Sequence, residues 1–398
     1  MAGQAGRERM VSIALVLGTL ICGGIPGDFN RVNAQDAAKD EFRPLFNGKD
    51  MTGWVYVNTP PDTWTIEDGV LICSGRPTGE IRTDRMYQNF VLEVEWRHLV
   101  KAGNAGIFVW ADDITARGVP FHRSVEVQVL ENSYGQSAGH TTHGDIFPIH
   151  GAKMTPLNGR GGSRAFPTEE RSKPAPEWNH YRIECRDGEI SLAVNGKVVT
   201  QGKDASPRKG YICIESEGGT VQYRNMRIME LPDTPVDPAD VATERRGFRS
   251  VYSGLDLRGW KATPKSDSWK AQDWVLRYEG KSTGSEAGVL ELDEVLNGDV
   301  DFVLDVQPSD GFQSFSMAGL DQILVAASSS NSGDGGLQVK AGEWIRLEGQ
   351  LRSGKLSVTA NGKPLKDSVP VKSPWQMQLK PHGATSFANI YVRNVSNP

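Results

Sequence analysis

The sequence predicts an all-β protein built as two tandem jelly-roll β-sandwiches. Three observations lead there. Apolar and polar residues alternate over short stretches, Gly-rich hairpin turns separate those stretches, and one set of motifs occurs twice. The chain has 398 residues, of which 38 % are hydrophobic and 23 % charged, the balance of a soluble globular protein with room for two domains. Its net charge of −5, without a long run of like charge, excludes a basic nucleic-acid surface.

The alternation is clearest in "NFVLEVEWR", where Phe90, Leu92, Val94 and Trp96 share one face and Glu93 and Glu95 the other. "SVEVQVLEN" sets Val125, Val127 and Val129 against Glu126 and Gln128, and "ISLAV" alternates likewise. Asp187-Gly188 and Asn195-Gly196 supply the positive φ angles of tight hairpin turns. No amphipathic helix is expected beyond the amino-terminal segment.

That segment reads as an export signal over residues 1–34: Arg7 and Arg9 precede the apolar run "MVSIALVLGTLICGG", with cleavage expected after Ala34. A lipid anchor at Cys22 and an uncleaved anchor are the alternatives, so the chain is expected to be secreted or periplasmic, with cell-envelope association open. Cys73, Cys185 and Cys213 then remain, and buried thiols are expected of them.

The duplication fixes the domains. "FRPLFNGKDMTGW" from Phe42 recurs as "FRSVYSGLDLRGW" from Phe248, and "EWNHYRIECRDGEISLAVNGK" recurs as "EWIRLEGQLRSGKLSVTANGK". The expected boundaries are 41–231 for the first copy, 232–246 for a Pro-rich linker and 247–398 for the second copy. The copies are offset by 206 residues at Phe42/Phe248 but by 166 at Trp178/Trp344, so the first is 40 residues longer between Val100 and Glu177. That interval holds Glu126, Gln128 and four of the seven histidines. Trp54/Trp260, Trp64/Trp269 and Trp178/Trp344 recur and are expected in shared core. Unshared residues are where a site is sought.

"LFNGKDMTGW", "GNAGIF", "EVQVLE", "HGDIF", "EWNHYRIECRDGEISLAVNGK" and "GYICIESEGGTVQYRNMRI" follow one another in that order. Together they resemble the 3-keto-disaccharide hydrolase domain, also described as the 3-keto-glucoside 1,2-lyase and 3-keto-2-hydroxyglucal hydratase domain, over residues 41–231. The resemblance implies a concanavalin/laminin-G-like sandwich acting on, or binding, sugars oxidised to a ketone at carbon 3. The chain departs from the family pattern at Trp110, where an arginine is common, and at "ESEG", Glu215 to Gly218, where a "QDHG"-like segment stands. These departures bear on the substrate more than on the fold.

A ketone at carbon 3 acidifies the proton on carbon 2. A base can remove it, the enolate expels the oxygen on carbon 1, and water then adds back. The expected catalytic residues are Glu126 as base, His143 and Asp145 in a loop closing over the sheet, and Arg224 holding the enolate. His143 suits acid/base work through an ordinary pKa near ~6.5. Gln128, Asn104, Glu215 and Glu217 are expected to bind substrate, Glu215 and Glu217 alternatively pairing with Arg224 or Arg208, and Trp110 to stack on a sugar ring. A divalent cation is a possible cofactor, with His140, His143 and Glu126 as ligands. The alternative function is a non-catalytic carbohydrate-binding module, since fold does not fix activity; a structural envelope protein is a third, without a motif in its favour.

Overall fold

The structure is a computed structural model that describes residues 41–263, 267–280, 288–317, 319–327, 336–365, 368–372 and 374–395. The export signal and Cys22 lie outside the described residues. Each copy folds as two facing sheets, one of nine strands and one of six, among the described residues, with antiparallel pairing except between Leu320–Ala326 and Leu337–Val339 of the second copy, which run parallel. The jelly-roll expectation is met twice.

In the first copy the six-stranded sheet runs Trp54–Val57, Gly79–Thr83, Tyr211–Ser216, Asn104–Ala111, Ser124–Leu130 and His143–Ile149, every neighbour antiparallel. Its inner face, with Ile81, Ile214, Ile107 and Val125, Val127 and Val129, closes on Leu92, Val94, Trp96, Tyr181 and Ile183 of the nine-stranded sheet. This is the alternation read from the sequence, with the apolar parity turned inward. The hairpins at Asp187-Gly188 and Asn195-Gly196 have positive φ at both residues, as their strand pairs require. All three described cysteines are buried free thiols.

Among the repeated tryptophans, Trp54, Trp260, Trp64 and Trp269 are core residues. Trp178 and Trp344 are not. Trp178 is half-buried, with Arg97 and Arg224 stacked on it at 4.5 and 4.0 Å, and Trp344 is half-buried against Gly118 of the first copy. Each stands one residue before a strand, Asn179–Arg186 or Ile345–Arg352, where the side chain meets the rim rather than the interior.

The 40 extra residues do not include the strand Ser124–Leu130 itself. In the second copy Leu320–Ala326 occupies the same place in its six-stranded sheet, but its sequence, "LDQILVA", carries no glutamate. The surplus lies in longer connections and in the strand Lys153–Pro156, which has no counterpart between Val339 and Ile345 of the second copy. Strands of the second copy end at Met317 and resume at Leu320, whereas the equivalent strands of the first are joined by residues 112–123.

That long connection is what the second copy grips. Thr115 Oγ1 meets Tyr391 Oη at 2.9 Å, and Gly118 N donates to Asp305 Oδ2 at 2.8 Å. Asn389 Nδ2 donates to Ala116 O, Val119 O and Asp305 Oδ2 at 3.1, 3.0 and 2.7 Å. Val57 and Ile114 pack with Phe248, Val303 and Tyr391 in a small apolar cluster between the copies. The Pro-rich segment also runs along the first copy: Arg208 N donates to Asp240 O and Ala242 N to Lys209 O.

Asp305 is fully buried and receives both Arg346 Nε and Nη2 at 2.8 Å in addition to the loop. Asp305→Ala strands that guanidinium and frees the loop, so it should cost about 3–5 kcal/mol. Thermal unfolding of the variant should begin at markedly lower temperature; an unshifted midpoint contradicts the role given to this ion pair.

Candidate active site

The outer face of the first copy's six-stranded sheet carries an unusual density of carboxylates. Register sets Glu80 on Gly79–Thr83 opposite Glu215 on Tyr211–Ser216, and Glu126 on Ser124–Leu130 opposite Phe108. Gly106 lies between the last two strands. A Cβ there would stand 2.9 Å from Glu215 Oε2 and 3.0 Å from Glu126 Oε1. The two carboxylates therefore converge over the one position in that strand without a side chain.

Around this floor the polar groups are linked. Glu217 accepts from Asn104 Nδ2, and Asn104 Oδ1 accepts from Gln128 Nε2 at 3.1 Å. Asp145 is buried and bound to Arg164 Nη1 at 2.9 Å and to Thr141. Arg164 lies over the Phe147 ring at 3.4 Å. Phe108, Tyr211 and Cys213, with Met86, Phe121 and Ile149 against them, seal one end of the face in apolar contact. At the other end Asn104 and Glu217 are partly exposed, next to the buried Gln128.

Crowding and burial control protonation. Burial, then the charge of Glu217, pushes the Glu126 carboxyl up to about 8, with Arg164 opposing. Glu215 rises well above the ordinary carboxylate range through burial and the charges of Glu126 and Glu217. Glu217 is raised by burial, against a hydrogen bond with Glu215, and by the charge of Asp273 in the second copy. Like charges that share a dry space cannot all ionise, so the cluster retains protons at neutral pH.

Glu126, Gln128, Asn104, Glu215 and Glu217 are thus brought together. His143, Trp110 and Arg224 are not. His143 sits on the edge strand His143–Ile149 rather than in a loop, because Gly144 with φ 77° and Pro148 mask its alternation in the sequence. Its Nδ1 is 2.6 Å from Ser172 Oγ and its Nε2 accepts from Ser172 N at 3.2 Å, so both ring nitrogens are already engaged. Burial keeps its pKa below the ordinary value. Asp145 keeps its place beside the cluster, but as the anchor of Arg164 instead of a free acid or base.

Alternation would put Trp110 outward with Gly106 and Phe108. A bulge at Trp110, φ 56°, turns it into the core, where it is fully buried and its Nε1 donates to Gln88 O at 2.8 Å. No sugar can stack there. Arg224 belongs to Val221–Glu230 in the nine-stranded sheet and pairs with Glu95 at 2.6 Å. Arg208 likewise pairs with Asp187 and Asp240, so neither arginine neutralises Glu215 or Glu217.

A cavity of about 570 Å³ on that other sheet is lined by Glu93, Glu95, His180 and Arg227. Partial burial raises these two carboxyls, but hydrogen bonds from Arg227 and Arg182 to Glu93, and from Arg224 and Asn225 to Glu95, outweigh it and hold both below the ordinary range. Paired ions of that kind are structural.

Metal donors do not converge on His140, His143 and Glu126. His140 packs edge-on against Tyr134, and among the described residues the converging set is Glu80, His122 and Cys213, all buried, with ligand atoms within 4.8 Å of one another. His122 Nδ1 lies 2.5 Å from Glu80 Oε1 and 3.7 Å from Cys213 Sγ. Burial and the Glu80 charge push the Cys213 thiol well up, so a cation would have to displace its proton. Glu80 and Arg164 escaped the sequence reading. "GEIRT" alternates with Glu80 and Arg82 on one face, a signal that was available; Arg164, in a Gly-rich stretch without periodicity, offered none.

Residues 41–229 match the family model described as the 3-keto-alpha-glucoside-1,2-lyase-like domain. The first sandwich is a domain of this family. A "3-keto-disaccharide hydrolase" of Bacteroides thetaiotaomicron is 24 % identical over 236 residues, covering 48 % of this chain and 79 % of that protein. A candidate glycosyl hydrolase from Parabacteroides distasonis is similar in structure, with 22 % identity, TM-score 0.38 and coverage of 50 % of this chain and 98 % of that one. A Bacillus subtilis carbohydrate-binding module is also similar, with 12 % identity, TM-score 0.34 and coverage of 46 % and 98 %.

Two outcomes test the cluster. Because the folded-state pKa of Glu126 stands above its ordinary value of 4.5, the folded protein binds the extra proton between there and about 8. Stability must fall as pH rises through that window, and Glu126→Gln should flatten the fall in thermal midpoint. Gly106→Ala should destabilise by about 1–3 kcal/mol through overpacking against both carboxylates, read by the same melts.

Proposed function

We propose that the first sandwich cleaves 3-keto-glycosides by elimination across carbons 1 and 2, followed by hydration, for a net hydrolysis. The observation that carries this reading is the pair Glu126 and Glu215, sharing one desolvated space over Gly106 with proton affinities raised unequally. Such a pair holds both an acid and a base at pH about 8, where Glu126 is half ionised and Glu215 still carries its proton. Glu126, the easier to ionise, takes the carbon-2 proton. Glu215, the more strongly protonated, supplies the proton that the leaving oxygen needs.

The developing enolate needs donors, and Arg224, on the other sheet, is not available. Gln128 Nε2 already donates to Asn104 Oδ1 and Ala105 O, so the donor this face offers is the Arg164 guanidinium, close enough to oppose the rise of Glu126. An ordinary glycosidase sets its two carboxyl groups on either side of the scissile bond. Here both rise from the same floor, an arrangement that favours proton transfer at adjacent carbons on one side of a sugar. Secretion or a periplasmic location belongs to the same proposal and rests on the amino-terminal sequence alone.

The test uses the full chain and a 3-keto-disaccharide deuterated at carbon 2. Release of the leaving sugar should be accompanied by loss of the deuterium to solvent, and Glu126→Gln should reduce turnover by about 10²–10⁴. Release with the deuterium retained points to direct hydrolysis and overturns the mechanism. Binding without release favours a carbohydrate-binding module.

A further inference from the structure

The second copy lacks the carboxylate floor, yet it stands beside it. A groove of about 460 Å³ runs along the junction, lined on one side by Arg76, Pro77, Thr78 and Glu217 of the first copy and on the other by Leu255 and Asp273 of the second. That volume lies in the lower part of the range of about 300–1,000 Å³ for small-molecule sites.

The junction is tightly held. Asp273 accepts from Thr78 N at 2.6 Å and from Thr78 Oγ1 at 2.7 Å. Gly254, at φ 77°, comes so near that a Cβ on it would meet Pro77 carbons at 2.6 Å. On the first copy's side, Ser216 Oγ donates to Pro77 O at 2.8 Å and Gly218 N to Gly75 O at 3.1 Å, so the groove wall is tied to the end of the strand that carries Glu215.

Glu217 belongs to both places. Through Asn104 it is joined to Gln128 on the floor, and it also lines the groove. A substrate whose scissile bond lay over Glu126 and Glu215 would therefore extend past Glu217 into the junction. The lining there is amphipathic in the way a sugar ring is. Leu255, a leucine left 42 % exposed, and Pro77 offer apolar contact, while Thr78, Asp273 and Arg76 border it with donors and acceptors. Arg76 is exposed and has no ion pair among the described residues, so its guanidinium is available to hydroxyl oxygens.

We propose that this groove is the subsite for the leaving sugar, and that the second copy is retained to form its far wall. The proposal rests on the glycoside-cleaving reading above and adds to it which part of the substrate the second copy recognises. It also gives the duplication a physical use: the frame is repeated so that one copy can hold the chemistry and the other complete the cleft.

The test compares the full chain with Leu255→Asp and Arg76→Ala on two substrates, a 3-keto-disaccharide and the methyl 3-keto-glucoside, whose leaving group is methanol. Each variant should lose about tenfold more kcat/KM on the disaccharide than on the methyl glycoside, chiefly through KM. Equal losses on both substrates, or none on either, overturn the subsite. Thermal melts confirm that the variants fold. Should the wild-type chain turn over neither substrate, the enzyme reading fails, and calorimetric binding of the disaccharide still decides the groove: binding weakened by Leu255→Asp supports it, and binding indifferent to both variants refutes it.

Discussion

The first sandwich is organised around a desolvated group of glutamates that cannot all be ionised. Glu126 and Glu215 come from the two strands that flank Asn104–Ala111, Glu217 follows the second of these strands and bridges to Asn104, and the absence of a side chain at Gly106 lets the first two converge. In water such a group would simply ionise and separate. Here the sheet fixes the backbone, apolar packing of Phe108, Phe121 and Met86 limits solvent at one end, and the remaining relief is to bind protons. Placement in register, burial and proton affinity are one constraint seen at three levels.

The same constraint accounts for the surroundings. Asn104 and Gln128 are oriented by the carboxylate they serve, and Asp145 spends its charge holding Arg164 near Glu126 instead of adding a free acid to the group. Residues 112–123, which make the first copy longer, join the strand of Gly106 to the strand of Glu126 and present a face that the second copy binds through Asn389 and Asp305. A duplicated frame has thus diverged by function: one sheet face concentrates charge, while the equivalent strand Leu320–Ala326 carries Asp321 and Gln322 exposed at its start and no glutamate at all.

Much of this was legible in the sequence because strand alternation is a local signal. The valines of "SVEVQVLEN" told which side is core, and hence that Glu126 and Gln128 share the other. "ICIESEG" told the same of Glu215, and Asp187-Gly188 and Asn195-Gly196 announced their turns. What alternation could not reveal was where it breaks. The bulge at Trp110 reverses that side chain into the core, and Gly144 disguises an edge strand as a loop. Arg224 obeys its alternation but lies on the other sheet, and which sheet a strand joins is decided by long-range pairing. Glu80 shows the converse: its strand was readable, but its worth came from standing beside Glu215.

The central claim is that the glutamate cluster keeps a proton at neutral pH and gives it up near Glu126. Infrared difference spectroscopy of the full chain labelled with ¹³C at its glutamate carboxyls measures this directly. A neutral carboxyl band should persist at pH about 7, lose the Glu126 share of its intensity as pH passes about 8 while the Glu215 share remains, and be weaker in Glu126→Gln. Complete ionisation of every glutamate at pH about 6 would contradict the account.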